Sequence, residues 1–116
     1  MATQTGGMTS LVRKYFDAFH SHDRNTLEAL LSDDFTFSSP RDDHISKLAY
    51  FHRCFPHSDE FRSFKIEKIF EVDNEAFVRY SCKPRKGAQF RNTEYFRIKR
   101  GKIEEVDVYF GRNLDH

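Results

Sequence analysis

Between Asp33 and Pro40 the chain reads Asp-Asp-Phe-Thr-Phe-Ser-Ser-Pro, an alternating run that starts on an acidic pair and stops at a proline. Phe35 and Phe37 share one parity, so the run predicts a short strand with a single apolar face, and the proline ends it because its ring nitrogen has no proton for a neighbouring strand. Such a strand cannot stand alone in water. The rest of the chain must supply partner strands and a layer that covers the two phenylalanines.

The preceding segment supplies helices. Leu11, Val12, Tyr15, Phe16 and Phe19 fall at the three-and-four spacing of one helical stripe beginning near Met8. The polar break His20-Ser21-His22-Asp23 ends that helix, and Asn25 with Glu28 can cap a second, shorter one carrying Leu27, Leu30 and Leu31. After Pro40, Asp42 and Asp43 stand where a helix N-terminus favours negative charge. Ile45, Leu48, Ala49, Phe51 and Phe55 then predict a third helix, stopped by Pro56.

Beyond it the period changes from helix to strand. Residues 64–72, 76–83, 89–99 and 102–110 read as four strands, separated by Asp73-Asn74, by the segment 84–87 and by Arg100-Gly101. Turns this short imply antiparallel pairing. One parity of the last three is largely apolar: Val78, Tyr80 and Cys82, then Phe96 and Ile98, then Val106, Val108 and Phe110. Glu94 shares that parity, which aims a carboxylate at the interior, where acids are rare.

At 116 residues the chain has room for one domain, expected over 8–116 behind a flexible tail at 1–7, with Met8 available as a second start. Its 19 basic residues nearly balance 18 acidic ones, which leaves no net field to draw in nucleic acid or an anionic membrane. Thirteen phenylalanines and five tyrosines, with no tryptophan, predict an aromatic core. Cys54 and Cys82 are too few for a disulfide framework, and neither has a close-spaced metal pattern, so a reducing cytoplasmic setting is expected. No apolar run approaches the roughly 20 residues that cross a bilayer, and residues 1–7 lack the apolar stretch of a signal peptide. His20, His22 and Asp23 lie together without a matching ligand constellation, so no metal is expected, and nothing suggests an organic cofactor. The basic residues Lys83, Arg85, Lys86 and Arg91 read as a solvated edge.

The order helix, helix, strand, helix, antiparallel sheet resembles the nuclear transport factor 2-like superfamily, especially its SnoaL-like and ketosteroid-isomerase-like branches. The matching segments are Val12-Arg13-Lys14-Tyr15, residues 33–40, Glu94-Tyr95-Phe96-Arg97-Ile98 and Val106-Asp107-Val108-Tyr109-Phe110-Gly111, within about residues 8–112. The resemblance implies an α+β cone, with three N-terminal helices packed on a curved, mostly antiparallel sheet around an apolar pocket. Phe19, Phe37, Ser39, Phe51, Phe55, Tyr80, Phe96 and Val108 are the implied ligand-binding positions. In the isomerase branch a helix-one tyrosine and a late-strand carboxylic acid form an oxyanion hole, and an aspartate before the proline of the first strand moves the proton. Tyr15 matches the tyrosine and Glu94 the acid. The base position holds Ser39, and a serine hydroxyl without an activating partner is far too weak a base to replace a carboxylate.

A histidine offers another route to a base. On a helical wheel His44, Leu48 and His52 stack along the side of the third helix read as apolar, which points both imidazoles at the core or pocket and allows a His52 contact with Tyr15. Bland readings stand beside these. Tyr15 can be a satisfied core aromatic, Glu94 can pair with an arginine, Asp42 and Asp43 can cap a helix, and both histidines can be packed hydrogen-bonding residues. Three functions stay open: an isomerase, cyclase or hydratase using Tyr15, Glu94 and a histidine; a non-catalytic binder of a small hydrophobic molecule; and a protein-interaction module. Aromatic residues on the outward parity, Phe77, Tyr95 and Tyr109, together with the resemblance, predict a homodimer through the sheet.

Overall fold

A computed structural model of the chain describes residues 7–114. Six residues of the expected tail lie outside that span, and Gly7 already opens the first helix, α1 (Gly7–His20). Its stripe buries Val12, Tyr15 and Phe16 and half-buries Leu11 and Phe19, as the three-and-four spacing requires. The second helix, α2 (Arg24–Leu30), buries Leu27. Its cap is Asp23 rather than the expected Asn25: the Asp23 carboxylate accepts from the Thr26 amide at 3.1 Å and from the Thr26 hydroxyl at 2.6 Å. A carboxylate two residues earlier reaches two donors and so defines the helix start.

Strand β1 (Leu31–Ser39) follows and buries Leu31, Phe35, Phe37 and Ser38. The third helix is shorter than its sequence pattern suggests. Asp42–Ser46 forms an edge strand, β2, antiparallel to β1, and α3 spans only Lys47–Arg53. Asp42 and Asp43 therefore cap nothing, and the N-cap is Ser46, whose hydroxyl accepts from the Ala49 amide at 3.2 Å. Starting α3 at Lys47 buries Tyr50 and Phe51 and turns Leu48 out to solvent. A 3₁₀ segment, Phe55–Glu60, leads into the long strands β3 (Phe61–Val72), β4 (Glu75–Pro84), β5 (Phe90–Lys99) and β6 (Lys102–Asn113).

The six strands form one mixed sheet in the order β2-β1-β6-β5-β4-β3, in which β1 pairs parallel to β6 and every other pair is antiparallel. Register shifts interrupt β3 between Phe61 and Ser63 and between Ile66 and Lys68, and β5–β6 between Phe90 and Asn92 and between Arg97 and Ile98. Extra residues of this kind bend a strand, and here they curve the sheet around the helices. The β5–β6 turn, Arg100-Gly101, has positive φ at both residues, the backbone that matches the twist of a two-residue hairpin. The expected inward parity holds at Val78, Tyr80, Cys82, Phe96, Val106 and Val108, while Phe110 is half-exposed at the end of β6. Among the described residues no helix is long and apolar enough to cross a membrane.

Candidate functional site

The concave face of the sheet and the helices α1 and α3 enclose a cavity of about 140 Å³. Its walls are aromatic, with Phe16 and Phe19 from α1, Phe37 from β1, Phe61 and Phe64 from β3, and Phe90 from β5. Among the described residues one carboxyl group faces it. Glu94 is 4% exposed and lies in register between Val78 of β4 and Val108 of β6, so the strands beside it offer no charge to offset its own.

Hydroxyl groups surround this acid instead. The Tyr80 and Tyr15 hydroxyls both act to favour its anion. The Tyr15 hydroxyl also meets the Tyr50 hydroxyl at 3.0 Å, and either oxygen can be the donor. On the other flank the Asn92 amide donates to the Tyr80 oxygen at 3.2 Å and accepts from the Gly111 amide at 3.1 Å. Polar contacts thus reach the surroundings of one carboxylate from α3 through Tyr50 and Tyr15, and from β6 through Asn92 and Tyr80. Alternation along β5 makes this possible, because Asn92, Glu94 and Phe96 all turn to the buried face.

Burial raises the Glu94 carboxyl from its ordinary value to about 7, against the pull of the Tyr80 and Tyr15 hydrogen bonds, which favour the anion. Near neutral pH it can therefore both give and hold a proton. Burial, with Tyr50 and Glu94 adding to it, pushes Tyr15 well above the usual phenol range, and burial followed by Glu94 does the same to Tyr80. Tyr50 is raised as well, chiefly by burial. All three remain neutral donors. Cys54 also lines the cavity, and burial pushes its thiol up to about 11, which makes it a poor nucleophile at neutral pH.

Of the positions read as ligand-binding, Phe19, Phe37, Tyr80 and Val108 line the cavity, together with Tyr15 and Glu94. Phe51 and Phe96 are instead packed in the core behind it: Phe96 stacks edge-on to Tyr15 at 5.3 Å and Phe51 to Tyr50 at 5.3 Å. Phe55 packs on Phe19 and Phe51 outside the inner wall. Ser39 lies at the mouth, where its hydroxyl accepts from the Arg41 amide at 3.1 Å.

Neither expected histidine reaches the cavity. His52 is exposed on α3, because the true helix start rotates Tyr50 and Phe51 inward and carries His52 to the opposite side with Leu48. His44 is not helical at all. It sits exposed in β2 with φ of 51°, its amide held by the Ser38 hydroxyl and its ring against Asp43 at 2.6 Å. The contact expected between Tyr15 and His52 is made by Tyr50. A signal for Tyr50 was present: with Ser46 as cap, Tyr50, Phe51, Cys54 and Phe55 form the apolar stripe of α3 and its extension. His20, His22 and Asp23 each hold a structural partner: the Arg62 carbonyl, the Ser58 hydroxyl and the α2 N-terminus.

The inner cavity opens outward. A mouth of about 420 Å³ is lined by Ser39, Arg41, Asp42, Arg53, His57 and Glu60, and shares Phe19, Phe37, Cys54, Phe61, Val108 and Phe110 with the inner cavity. A second lobe of about 360 Å³, also touching Arg41, shares Phe61, Phe90, Asn92 and Phe110 with it.

Comparison with known proteins bears on this arrangement. The family model described as a SnoaL-like domain matches residues 12–106. No curated protein matches the chain. Among solved structures, a protein of Kribbella flavida provisionally named a ketosteroid isomerase is 16% identical, with a TM-score of 0.73 over 92% of this chain and 79% of that one. An LEH-like epoxide hydrolase of M. tuberculosis is 18% identical, with a TM-score of 0.71 over 87% of this chain and 80% of that one. A de novo designed protein with a curved β-sheet is 11% identical, with a TM-score of 0.77 over 88% of this chain and 83% of that one. At such identities the likeness is one of fold, and a fold by itself assigns no chemistry.

Proposed function

The chain belongs to the SnoaL-like domain family, with a nuclear transport factor 2-like fold, and from that premise we propose that it binds a small apolar molecule with an oxygen directed at Glu94. The observation that carries this reading is a buried carboxyl group at the wall of an otherwise aromatic cavity. A buried acid without a purpose is an expense that an apolar residue would avoid, and here three tyrosines and Asn92 are arranged to support it. The size of the inner cavity is about that of an engineered cavity that takes benzene. One ring or a short branched chain fits it, and anything larger extends into the mouth.

The site supplies half of an acid/base pair. Isomerase, cyclase and hydratase chemistry can all draw on an acid that polarises a carbonyl or hydroxyl oxygen, and protonated Glu94, backed by Tyr15 and Tyr80, fits that role. The inner wall offers no second carboxylate and no imidazole among the described residues, and Ser39 at the mouth is occupied with the Arg41 amide. Binding, with Glu94 as a hydrogen-bond donor, is therefore the reading best supported, and proton abstraction from a carbon acid is not. Titration with cyclohexanone followed by amide NMR in ordinary water, with a parallel incubation in heavy water to follow the ketone's α-protons, tests both statements. The expected result is saturable shifts at Cys54, Asn92 and Glu94, weakened in Glu94→Gln, with no exchange of the ketone's α-protons. Exchange that Glu94→Gln abolishes would instead establish an enzyme, and the absence of any shift would defeat the small-molecule reading.

The outer face of the sheet supports a second element of this reading. Phe70, Phe77 and Tyr95 lie side by side across β3, β4 and β5, with the Phe77 and Tyr95 rings 5.2 Å apart, and Phe70 and Phe77 remain 67% and 48% exposed. A second copy of the chain is the partner proposed for this face. The free thiols of Cys54 and Cys82 suit a reducing, cytoplasmic setting.

A further inference from the structure

The mouth of the cavity carries a cation for which the pocket reading has no use. Arg41 borders both outer lobes. Its guanidinium lies 5.9 Å from the centroid of Phe110, a ring that also lines the inner cavity, and its backbone is held at the turn by the Ser39 hydroxyl. The other charges at the mouth are engaged with one another. Asp42 meets Arg53 at 2.6 Å and Glu60 meets His57 at 2.6 Å. Among the described residues no carboxylate forms an ion pair with Arg41.

We propose that the ligand is an apolar carboxylic acid whose hydrocarbon body fills the aromatic cavity and whose carboxylate stays at the mouth on the Arg41 guanidinium. The proposal deepens the small-molecule reading and rests on it. The chemistry of the two ends sets the orientation. A carboxylate entering first would lose its hydration beside Glu94, and two carboxyl groups in one dry site cannot both ionise. Entering body first, the ligand leaves its charge where water still reaches and where a planar five-donor fork is free to take both oxygens. The face of the Phe110 ring holds the guanidinium over the opening without neutralising it. A phosphate ester is the weaker candidate, since its second charge finds Arg53 already committed to Asp42.

Phenylbutyrate and phenylbutanol, which differ only in the terminal group, test this by calorimetric titration. The wild-type protein should bind the acid about tenfold more tightly than the alcohol, the size of one charge-assisted contact. That preference should shrink as sodium chloride is raised. Arg41→Gln should bring the acid down to the affinity of the alcohol, and Arg41→Lys should keep part of the preference. Equal or tighter binding of the alcohol to the wild type, or a preference that survives Arg41→Gln, overturns the proposal and leaves the pocket reading intact. If neither compound binds, while the folded state is confirmed by an unchanged unfolding midpoint, the pocket reading fails and takes the proposal with it.

Discussion

Glu94 is held folded with its carboxyl near 7 against an ordinary 4.5, and the direction of that shift determines how stability must respond to pH. Between the two values the folded chain keeps a proton that the unfolded chain releases, so the native state binds more protons and stability falls as pH rises through that window. The loss is complete above the folded value and amounts to at most about 3 kcal/mol. Glu94→Gln removes the titrating group. Its unfolding free energy relative to wild type should climb from about pH 4.5 to about pH 7 and then level off, and a difference flat in pH would contradict the assignment. Tyr15→Phe probes the same group from outside: losing one donor should raise the Glu94 titration further and cost about 1 kcal/mol through the orphaned Tyr50 hydroxyl, read from the pH dependence of chemical unfolding. Glu94 was legible in the sequence because strand parity has a period of two and tolerates no drift. The pocket partners on α3 were not, because a helical wheel turns by about 100° per residue and a start misplaced by a few residues sends His52 inward and hides Tyr50.

At the scale of elements, the four long strands were readable because each is a β-rich run of eight or more residues, the last three keep one largely apolar parity, and the turns between the four carry glycine, proline or asparagine chemistry. The strand β2 was not, since none of its five residues is buried and Asp42-Asp43 imitates the acidic start of a helix. Only the Ser46 hydroxyl separates the two elements. Ser46→Ala should destabilise the protein by about 1 kcal/mol, and hydrogen exchange should show the loss concentrated in the first turn of α3, ahead of Tyr50. The opposite wall depends on a close approach of strands. A Cβ at Gly111 would sit 2.0 Å from the Arg91 carbonyl oxygen, so any side chain there must push β6 away from β5. Gly111→Ala should cost about 1 to 3 kcal/mol and disturb the Asn92 and Tyr80 signals beyond the local change, because the Gly111 amide anchors the Asn92 side chain. A substitution without effect on stability would show that β6 can shift freely at this point.

For the whole molecule the curved sheet separates two tasks. Its concave face supplies Tyr80, Glu94 and Val108 to the cavity, and its convex face, one residue out of phase, carries Phe77, Tyr95 and Tyr109. The convex face is not uniformly apolar. Glu67 is clasped there by Arg79 at 2.9 Å and Arg91 at 2.8 Å, which satisfies its charge within one chain and leaves the neighbouring rings as the unpartnered surface. A stable pair of chains buries about 800 Å² on each partner, more than isolated rings provide, so a dimer must draw in the surrounding half-exposed sheet as well. Placing a charge at its centre should be decisive. Sedimentation of the wild type should give twice the mass of one chain, and Phe77→Lys should give a single chain with the fold preserved by circular dichroism. Because Phe77 and the cavity lie on opposite faces, the same variant should keep its affinity for a pocket ligand within a factor of about two. A wild type that sediments as one chain at every concentration would remove the dimer. A monomeric Phe77→Lys that also loses its ligand would show that the two faces are coupled, with the curvature of the sheet held in part by the second copy.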